Sequence, residues 1–436
     1  MKIYDVNPFN CTKPGNLFVG YSALRQEILE GLYNGHSFAV LGGRRIGKTS
    51  FLMQIKDDLI KEDIVHFHPL PRYFDLREVG NATPDILFEK IYNLVIQEIE
   101  APPWENGAPS KEYENFKKHL DNINPILNQK YGADWLIILL VDEMDTIGRS
   151  LPDDQFFFYL RNFLMQSQFH RHFRIVATGM KELERLIDDS SPLNFFRNFY
   201  LGILKDEDAR KLLSFGFTDK HDTDFLFELT GKHPFLLQGI LEKLWTDKTE
   251  WNKENIIRTG RNFLKEHSDF QRWMDAFSTL ERTVYRCLAE SLAGSMHVHD
   301  IAEKIDAGEI EDALIVLSYH GVIDDSDQNR PAISGTLFRD WFINHIKAES
   351  DRFGEDLSNF IDHTILTGIK EQDESYQVYQ NNKEYAKAAQ VAGRIHEMCK
   401  EIANSLDREK QRDIYQKVVA LSSYYRLSRD LHNARG

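Results

Sequence analysis

The feature that most constrains this chain is the octapeptide of residues 42–49, Gly-Gly-Arg-Arg-Ile-Gly-Lys-Thr, together with what lies on either side of it. The short apolar run before it, residues 37–41, predicts a buried strand. The spacing of apolar residues over 50–59 predicts an amphipathic helix. A glycine-rich turn between a strand and a helix directs backbone N–H groups and the positive end of the helix towards phosphate oxygens. The context therefore predicts an α/β fold built around a phosphate-binding loop.

Each conserved position of this motif type has a role in binding a nucleoside triphosphate with Mg²⁺. The ammonium group of Lys48 would reach the β- and γ-phosphates, and the hydroxyl of Thr49 would ligate Mg²⁺. A chance match in a glycine-containing loop is the alternative, and the predicted strand and helix argue against it. The nucleotide-binding residues predicted here are Gly42, Gly43, Arg44, Arg45, Ile46, Gly47, Lys48, Thr49 and Ser50.

Composition limits the remaining possibilities. The 436 residues are enough for two or three domains, each with its own core. The formal charge of −15 argues against a general nucleic-acid coat protein, because phosphate binding needs a positive face. The three cysteines are far apart in sequence, which suits a reducing compartment. No apolar run approaches the length of a membrane span and residues 1–5 lack a signal-peptide profile, so we expect a cytoplasmic protein.

A second element follows the loop by roughly ninety residues. Residues 136–141 are all apolar and are followed directly by Asp142 and Glu143, a pattern typical of a central parallel strand with two carboxylates at its C-terminal edge. Asp142 would hold the Mg²⁺, and Glu143 would polarise the water that attacks the γ-phosphate. An ordinary strand-to-loop transition is the alternative. Asp145 is interpreted as a helix-start acid.

Taken together, these segments resemble the STAND-type P-loop ATPases, especially the archaeal-type ATPase family within the AAA+/origin-initiator branch. The resemblance covers about residues 8–345. Besides the loop and the Asp142–Glu143 strand, it rests on residues 16–20 (Asn-Leu-Phe-Val-Gly), 175–179 (Ile-Val-Ala-Thr-Gly) and 231–234 (Gly-Lys-His-Pro). Two departures stand out: Tyr21 replaces the arginine usual after the entry segment, and Gly179-Met180 replaces an arginine that many STAND proteins carry there.

The resemblance implies further site residues. Phe18 and Val19 would pack on the adenine, and His233 or Pro234 would contact the nucleotide from a helical lid. In the additional-strand ATPases, a polar residue on the strand between the two phosphate-handling strands positions the attacking water, and Thr178 is the candidate. A helix stop and restart is the alternative for residues 231–234, and a strand-capping threonine is the alternative for Thr178.

Arg197 precedes the predicted last strand, residues 199–201. An arginine there can project across a subunit interface and neutralise charge on a neighbour's γ-phosphate, which would make it catalytic in trans. The alternative is an exposed arginine whose stem covers apolar surface. One further helix is predicted over about residues 111–120, in a surface excursion.

The second half is predicted to be mostly helical. The fold class expected is an α/β P-loop NTPase core with a parallel sheet of the additional-strand type, then a helical lid, a winged helix and an all-α bundle. The predicted boundaries are 1–204 for the core, 205–270 for the lid, 271–346 for the winged helix and 347–436 for the bundle. The winged helix resembles that of STAND proteins, in which this domain packs on the ATPase core.

Charge argues against DNA binding by this winged helix. Residues 272–345 contain thirteen acidic and six basic side chains, and the predicted third helix has Glu311 and Asp312 but no lysine or arginine. A helix that enters the major groove needs basic or amide side chains near its N-terminal end.

We therefore expect an ATP/ADP- and Mg²⁺-binding switch with slow hydrolysis, which couples nucleotide state to assembly. The resemblance places such switches in signalling, often prokaryotic defence. The predicted partner is a protein effector, or a second copy in a nucleotide-dependent homo-oligomer, engaged through residues 347–436. The alternatives are a DNA-associated initiator- or loader-like ATPase and a non-hydrolysing scaffold with bound nucleotide.

Overall fold

The computed structural model describes residues 6–11, 17–61, 67–80, 82–107, 111–151, 153–218, 222–305 and 310–346. Two compact units make up the chain, residues 1–341 and 342–436. The predicted C-terminal bundle, 347–436, and Asn16 of the entry segment lie outside the described residues. None of the described helices has both the length and the apolar composition needed to cross a membrane.

A parallel five-stranded sheet forms the centre of the described N-terminal part. Its strands are β1 (Phe38–Leu41), β2 (His68–Asp75), β3 (Trp135–Asp142), β4 (Phe173–Gly179) and β5 (Arg197–Tyr200), in the order β2-β3-β4-β1-β5. Strand β4 lies between β1, which leads into the phosphate loop, and β3, which ends at Asp142. This insertion is the additional-strand arrangement, and the prediction of an α/β P-loop core is confirmed.

Helices cover both faces of the sheet because its central strands are apolar on both sides. They are α1 (Ser22–Tyr33), α2 (Lys48–Lys61), α3 (Pro84–Val95), α4 (Glu112–Tyr131), α5 (Asp145–Ser150), α6 (Gln155–Gln166) and α7 (Lys181–Ile187). All eight residues of β3 are buried. Leu136, Ile138 and Leu140 face α1 and α2. Ile137, Leu139 and Val141 face α3, α4 and α6.

The α4 helix is longer than the predicted 111–120 and runs through Pro125. Proline removes one backbone hydrogen bond inside a helix. The buried face nevertheless continues beyond it, since Phe116, Leu120, Ile123 and Leu127 recur at spacings of three and four residues. Burial of this stripe outweighs the local cost of the proline.

The rest of the described chain is helical apart from one hairpin. Its elements are α8 (Asp206–Ser214), α9 (Thr223–Thr230), α10 (Pro234–Thr246), α11 (Lys253–Glu266), α12 (Asp269–Ala276), α13 (Thr279–Glu290), α14 (Val298–Lys304), α15 (Ile310–Tyr319), β6 (Ile323–Asp324) and β7 (Ala332–Ile333). Strands β6 and β7 pair antiparallel. At the start of α13, Ser278 and Glu281 form a capping box.

Candidate functional site

A candidate site is formed by a cavity of about 730 Å³ at the carboxyl edge of the sheet. Ligands of open α/β sheets bind at this edge, outside the ends of the strands. Leu41 pairs with Gly179, and Asp75 with Asp142, so strands β1 to β4 end together beside the loop. The residues predicted from sequence that line this cavity are Arg44, Arg45, Gly47, Lys48, Thr49, Ser50, Glu143 and Pro234.

Backbone conformation shapes the phosphate loop. Gly47 has φ +104°, a value that favours glycine, and no described heavy atom lies within 4 Å of where its Cβ would be. The loop therefore leaves an open cradle at Gly47. Arg45 also adopts a left-handed conformation, with φ 65°.

The ammonium group of Lys48 bonds back to its own loop. Its Nζ donates to the carbonyl oxygens of Gly42 at 2.7 Å and Gly43 at 3.0 Å. Burial lowers the pKa of Lys48, and the carboxylates of Glu143 and Asp145 act in the opposite direction. The loop thus holds a buried cation next to the cavity.

Asp142 is fully buried, and three hydroxyl groups from three separate elements donate to its carboxylate. Thr49 donates to Oδ2 at 2.6 Å, Tyr73 donates to Oδ2 at 2.9 Å, and Thr178 donates to Oδ1 at 2.5 Å. The backbone N–H of Glu143 donates to Oδ1 at 3.1 Å. These bonds fix the carboxylate and bring Thr49 and Asp142, the two predicted metal ligands, within one hydrogen bond of each other.

Glu143 projects into the cavity from a left-handed backbone conformation, φ 57°. An Nη1 of Arg77 lies 4.0 Å from its Oε1. Arg77 is itself paired with Asp75 at 2.6 Å, and that bond lowers the pKa of the Asp75 carboxyl. A cation therefore faces the predicted catalytic carboxylate from the end of β2.

The donor set fits a magnesium-bound nucleotide. Mg²⁺ prefers hard oxygen ligands, and the Thr49 hydroxyl and Asp142 carboxylate supply them at one point. The open cradle at Gly47 and the buried ammonium of Lys48 suit phosphate oxygens. Mg²⁺ bound here would neutralise phosphate charge.

Asp145 begins α5 as predicted, and its carboxylate accepts from the backbone N–H groups of Met180 and Glu182 at the start of α7.

Thr178 sits at the predicted end of β4, but its hydroxyl is used inside the protein. It is fully buried and donates to Asp142. Its direct effect is therefore on the orientation of the carboxylate, and positioning of a water by Thr178 stays a prediction.

Phe18 and Val19, the residues predicted to pack on the adenine, have partners inside the protein. Phe18 packs edge-on against Phe51 of α2, with ring centroids 6.2 Å apart, and Val19 is buried. Leu17, one residue earlier, lines the cavity. The apolar side chains of Phe18 and Val19 thus contribute to the core behind the loop.

His233 and Pro234 stand at the start of α10, His233 as its N-cap and Pro234 as its first residue. Pro234 lines the cavity, whereas His233 is buried beneath it, with its ring 4.6 Å from the ring of Trp273. Its Nδ1 accepts from the backbone N–H of Phe235 at 3.3 Å and caps the helix. The imidazole therefore caps α10 and does not line the cavity.

Arg197 lies at the other end of the sheet from the phosphate loop. It is the first residue of β5, pairs with Phe38 at the beginning of β1 and is exposed. Three strand residues, about 10 Å, separate that position from the carboxyl edge. A role in trans stays a prediction for this residue.

Sequence reasoning did not identify several contacts of the phosphate loop. The backbone N–H of Gly43 donates to the carbonyl oxygen of Tyr319 at 2.8 Å, although the loop glycines were predicted to turn their N–H groups towards phosphate. A Cβ on Gly43 would lie 2.7 Å from Cα of His320. Tyr73 and Arg77 were also not identified, because an aromatic residue in a strand and an arginine after it are common in any sheet.

Several solved structures match this chain over about three quarters of its length. The Walker-type ATPase PABY2304 of Pyrococcus abyssi matches with a TM-score of 0.51 and 15% sequence identity, over 74% of this chain and 96% of that one. The ORC1 protein of Aeropyrum pernix in complex with DNA matches at 0.40 and 11% identity, over 76% and 94%. A RuvB variant of Thermotoga maritima matches at 0.37 and 12% identity, over 76% and 95%. The sequence matches no protein-family model and no curated protein. The likeness to PABY2304 shows a shared fold.

Proposed function

We propose that this protein binds ATP and Mg²⁺ at the cavity and hydrolyses the nucleotide slowly, as a switch of STAND type in the wider AAA+ class. One observation carries the proposal: Thr49, Lys48 and Asp142 meet at the open phosphate cradle, with the carboxylate of Glu143 on the wall of the same cavity. This combination of a cation, metal ligands and a solvent-facing base is what phosphoryl transfer to water requires.

The proposed division of labour follows from the contacts. Lys48 stabilises phosphate charge when its ammonium leaves the carbonyl oxygens of Gly42 and Gly43. Thr49 and Asp142 hold the metal ion. Glu143 accepts a proton from the attacking water, and Thr178 keeps the Asp142 carboxylate in place.

A switch function is supported by contacts between the core and the helices that follow it. The cavity is lined by core residues and by Pro234, Phe235 and Gln238 of α10, so a bound nucleotide would touch both parts. Lys181 of α7 forms an ion pair with the buried Glu281 of α13 at 3.4 Å. We propose that α8–α11 act as the lid and that α13–α15 with β6 and β7 form the winged helix, both moving with nucleotide state.

The proposed partner is a protein, either an effector or a second copy, bound through residues 347–436. DNA is disfavoured by the acidic first turn of α15, where Glu311 and Asp312 lie. The opposite end of α15 is occupied, since Tyr319 contacts the phosphate loop.

Calorimetry and light scattering on protein stripped of nucleotide test this proposal. We expect Mg·ATP and Mg·ADP to bind. Glu143→Gln should bind ATP with hydrolysis reduced by about 10²- to 10⁴-fold. The molar mass of this variant in light scattering should increase with ATP, because the ATP-bound form assembles. Glu78→Gln, an exposed carboxylate after β2, is the matched control and should hydrolyse ATP at the wild-type rate.

Three outcomes would contradict different parts of the proposal. Absence of heat with both nucleotides would exclude nucleotide binding. Wild-type hydrolysis by Glu143→Gln would exclude its catalytic assignment. If light scattering gives that variant the same molar mass with and without ATP, nucleotide-dependent assembly would be excluded.

A further inference from the structure

Arg45 of the phosphate loop is held by residues from two helices that follow the core. Its Nε donates to Oδ1 of Asp269, the first residue of α12, at 3.2 Å. Its guanidinium carbon lies 5.0 Å from the centre of the Phe235 ring on α10. The Arg45 side chain is 34% exposed and lines the cavity that contains Lys48. A residue next to the proposed phosphate site is thus fixed from outside the core.

Asp269 is the buried member of this pair. Its side chain is only 5% exposed, and Nδ1 of His267 lies 3.8 Å from its other oxygen. A buried carboxylate depends strongly on its partner, because an unpaired charge in the interior is costly. Asp269 therefore restricts Arg45 more tightly than an exposed acid would.

A guanidinium has five N–H donors in a rigid plane, and fixing Nε fixes the direction of the remaining four. With Nε bonded to Asp269 and the ring of Phe235 against the guanidinium, the remaining donors have a set orientation at the cavity wall. Phosphate oxygens accept such paired donors well.

We propose that Asp269 is a positioning residue for nucleotide binding. It orients Arg45 so that the guanidinium contacts the phosphates of the bound nucleotide, and through the same ion pair nucleotide binding stabilises the docking of α12 on the phosphate loop. The inference rests on the proposed function and adds a coupling between the phosphate site and α12. Because coupling is reciprocal, each event strengthens the other.

Calorimetric titration with Mg·ADP tests this coupling in a double-mutant cycle. We expect Asp269→Asn and Arg45→Gln each to weaken binding about tenfold, and the double variant to be no weaker than Arg45→Gln alone. Arg45→Lys should recover only part of the affinity, because it keeps the charge and loses the planar donors.

Two controls separate positioning from general damage. Asp275→Asn makes the same change at an exposed site on α12 and should leave the dissociation constant within about twofold. Arg44→Gln combined with Asp269→Asn should show losses that multiply, since the structure pairs Asp269 with Arg45. Multiplying losses for Arg45 and Asp269, or an Asp269→Asn variant with wild-type affinity, would overturn the inference.

Hydrogen exchange on the wild-type chain gives a second readout, which does not depend on the folding of an Asp269 variant. Mg·ADP should slow amide exchange in both the phosphate loop and residues 269–276. In Arg45→Gln, Mg·ADP should no longer slow exchange in residues 269–276. Slowing confined to the phosphate loop would overturn this inference and leave the proposed function intact. No slowing in either segment, together with no heat of binding, would overturn both.

Discussion

Gly43 and Tyr319 are joined by a backbone hydrogen bond of 2.8 Å between the phosphate loop and the carboxyl end of α15. Behind this bond, a Cβ on Gly43 would come within 2.7 Å of both Cα and Nδ1 of His320. Glycine is thus required here by close packing against a distant segment, in addition to any requirement of the motif.

We expect Gly43→Ala to destabilise the fold by about 1–3 kcal/mol, because the added methyl group must displace the backbone at His320. Urea unfolding measures the change. Gly80→Ala is the matched control, since no described heavy atom lies within 4 Å of the methyl position there. Equal stability of the two variants would show that the approach of α15 to the loop does not constrain residue 43.

Tyr73→Phe removes one of the hydroxyl donors to Asp142 without changing the shape of the strand. Hydrogen bonds to a charged group contribute about 1.5–3 kcal/mol, so we expect lower stability and a higher Mg²⁺ requirement for nucleotide binding. Titration with Mg²⁺ at fixed ADP measures the second effect. Tyr92→Phe, which loses a bond to the carbonyl oxygen of Pro102, should leave the Mg²⁺ requirement unchanged. If both variants need the same Mg²⁺ as the wild type, Tyr73 does not orient the metal ligand.

Two buried histidines predict a pH dependence of stability. Burial lowers the pKa of both His233 and His320 to about 3, and Lys48 and Lys181 act in the same direction on His320. Their neutral forms are favoured in the folded state, whereas the unfolded chain takes up protons near pH 6.5. Stability should therefore be complete above that pH and fall towards pH 3, by about 2 kcal/mol per histidine between pH 7 and 5.

Urea unfolding at several pH values would measure this slope in the wild type and in His320→Leu. The variant should lose the part of the pH dependence that comes from His320 and keep the part that comes from His233. His299→Leu, an exposed histidine in α14, serves as the control and should retain the full slope. An unchanged slope in His320→Leu would mean that this imidazole does not need to be neutral in the folded protein.

Arg197→Ala tests whether an arginine at the start of β5 acts in its own subunit. Since this position lies about 10 Å from the carboxyl edge of the sheet, we expect the affinity for Mg·ADP to stay within about twofold of the wild type. Calorimetry at low protein concentration isolates this effect. A large loss of affinity would place Arg197 in its own nucleotide site, whereas a loss of hydrolysis only at high concentration would support the role in trans.

Local patterns were enough to predict the centre of the molecule. The apolar run into Asp142 and the glycine-rich turn after β1 each require one local conformation, whereas the position of β4 between β1 and β3 was expected only from the resemblance to additional-strand ATPases. The adjacency of Thr49 to Asp142 is a consequence of parallel strands that end at the same edge.

Contacts between distant segments were beyond the reach of such patterns. The bond from Gly43 to Tyr319 and the ion pair of Arg45 with Asp269 depend on how helices far along the chain pack on the loop. His233 was expected near the nucleotide because residues 231–234 resemble a lid motif, and the structure shows its imidazole as the cap of α10. The hydrogen bond from Tyr73 to Asp142 was also not predicted, because a tyrosine in a strand has no distinctive sequence pattern that marks such a role.

The Asp142 carboxylate lies in the interior and accepts hydrogen bonds from three hydroxyl groups and one backbone amide. The folded chain thus satisfies this buried carboxylate with donors of its own. A divalent cation held by Thr49 and Asp142 would therefore replace hydrogen bonds that the folded chain already makes. Chelators should therefore abolish the proposed ATP hydrolysis and leave the fold intact.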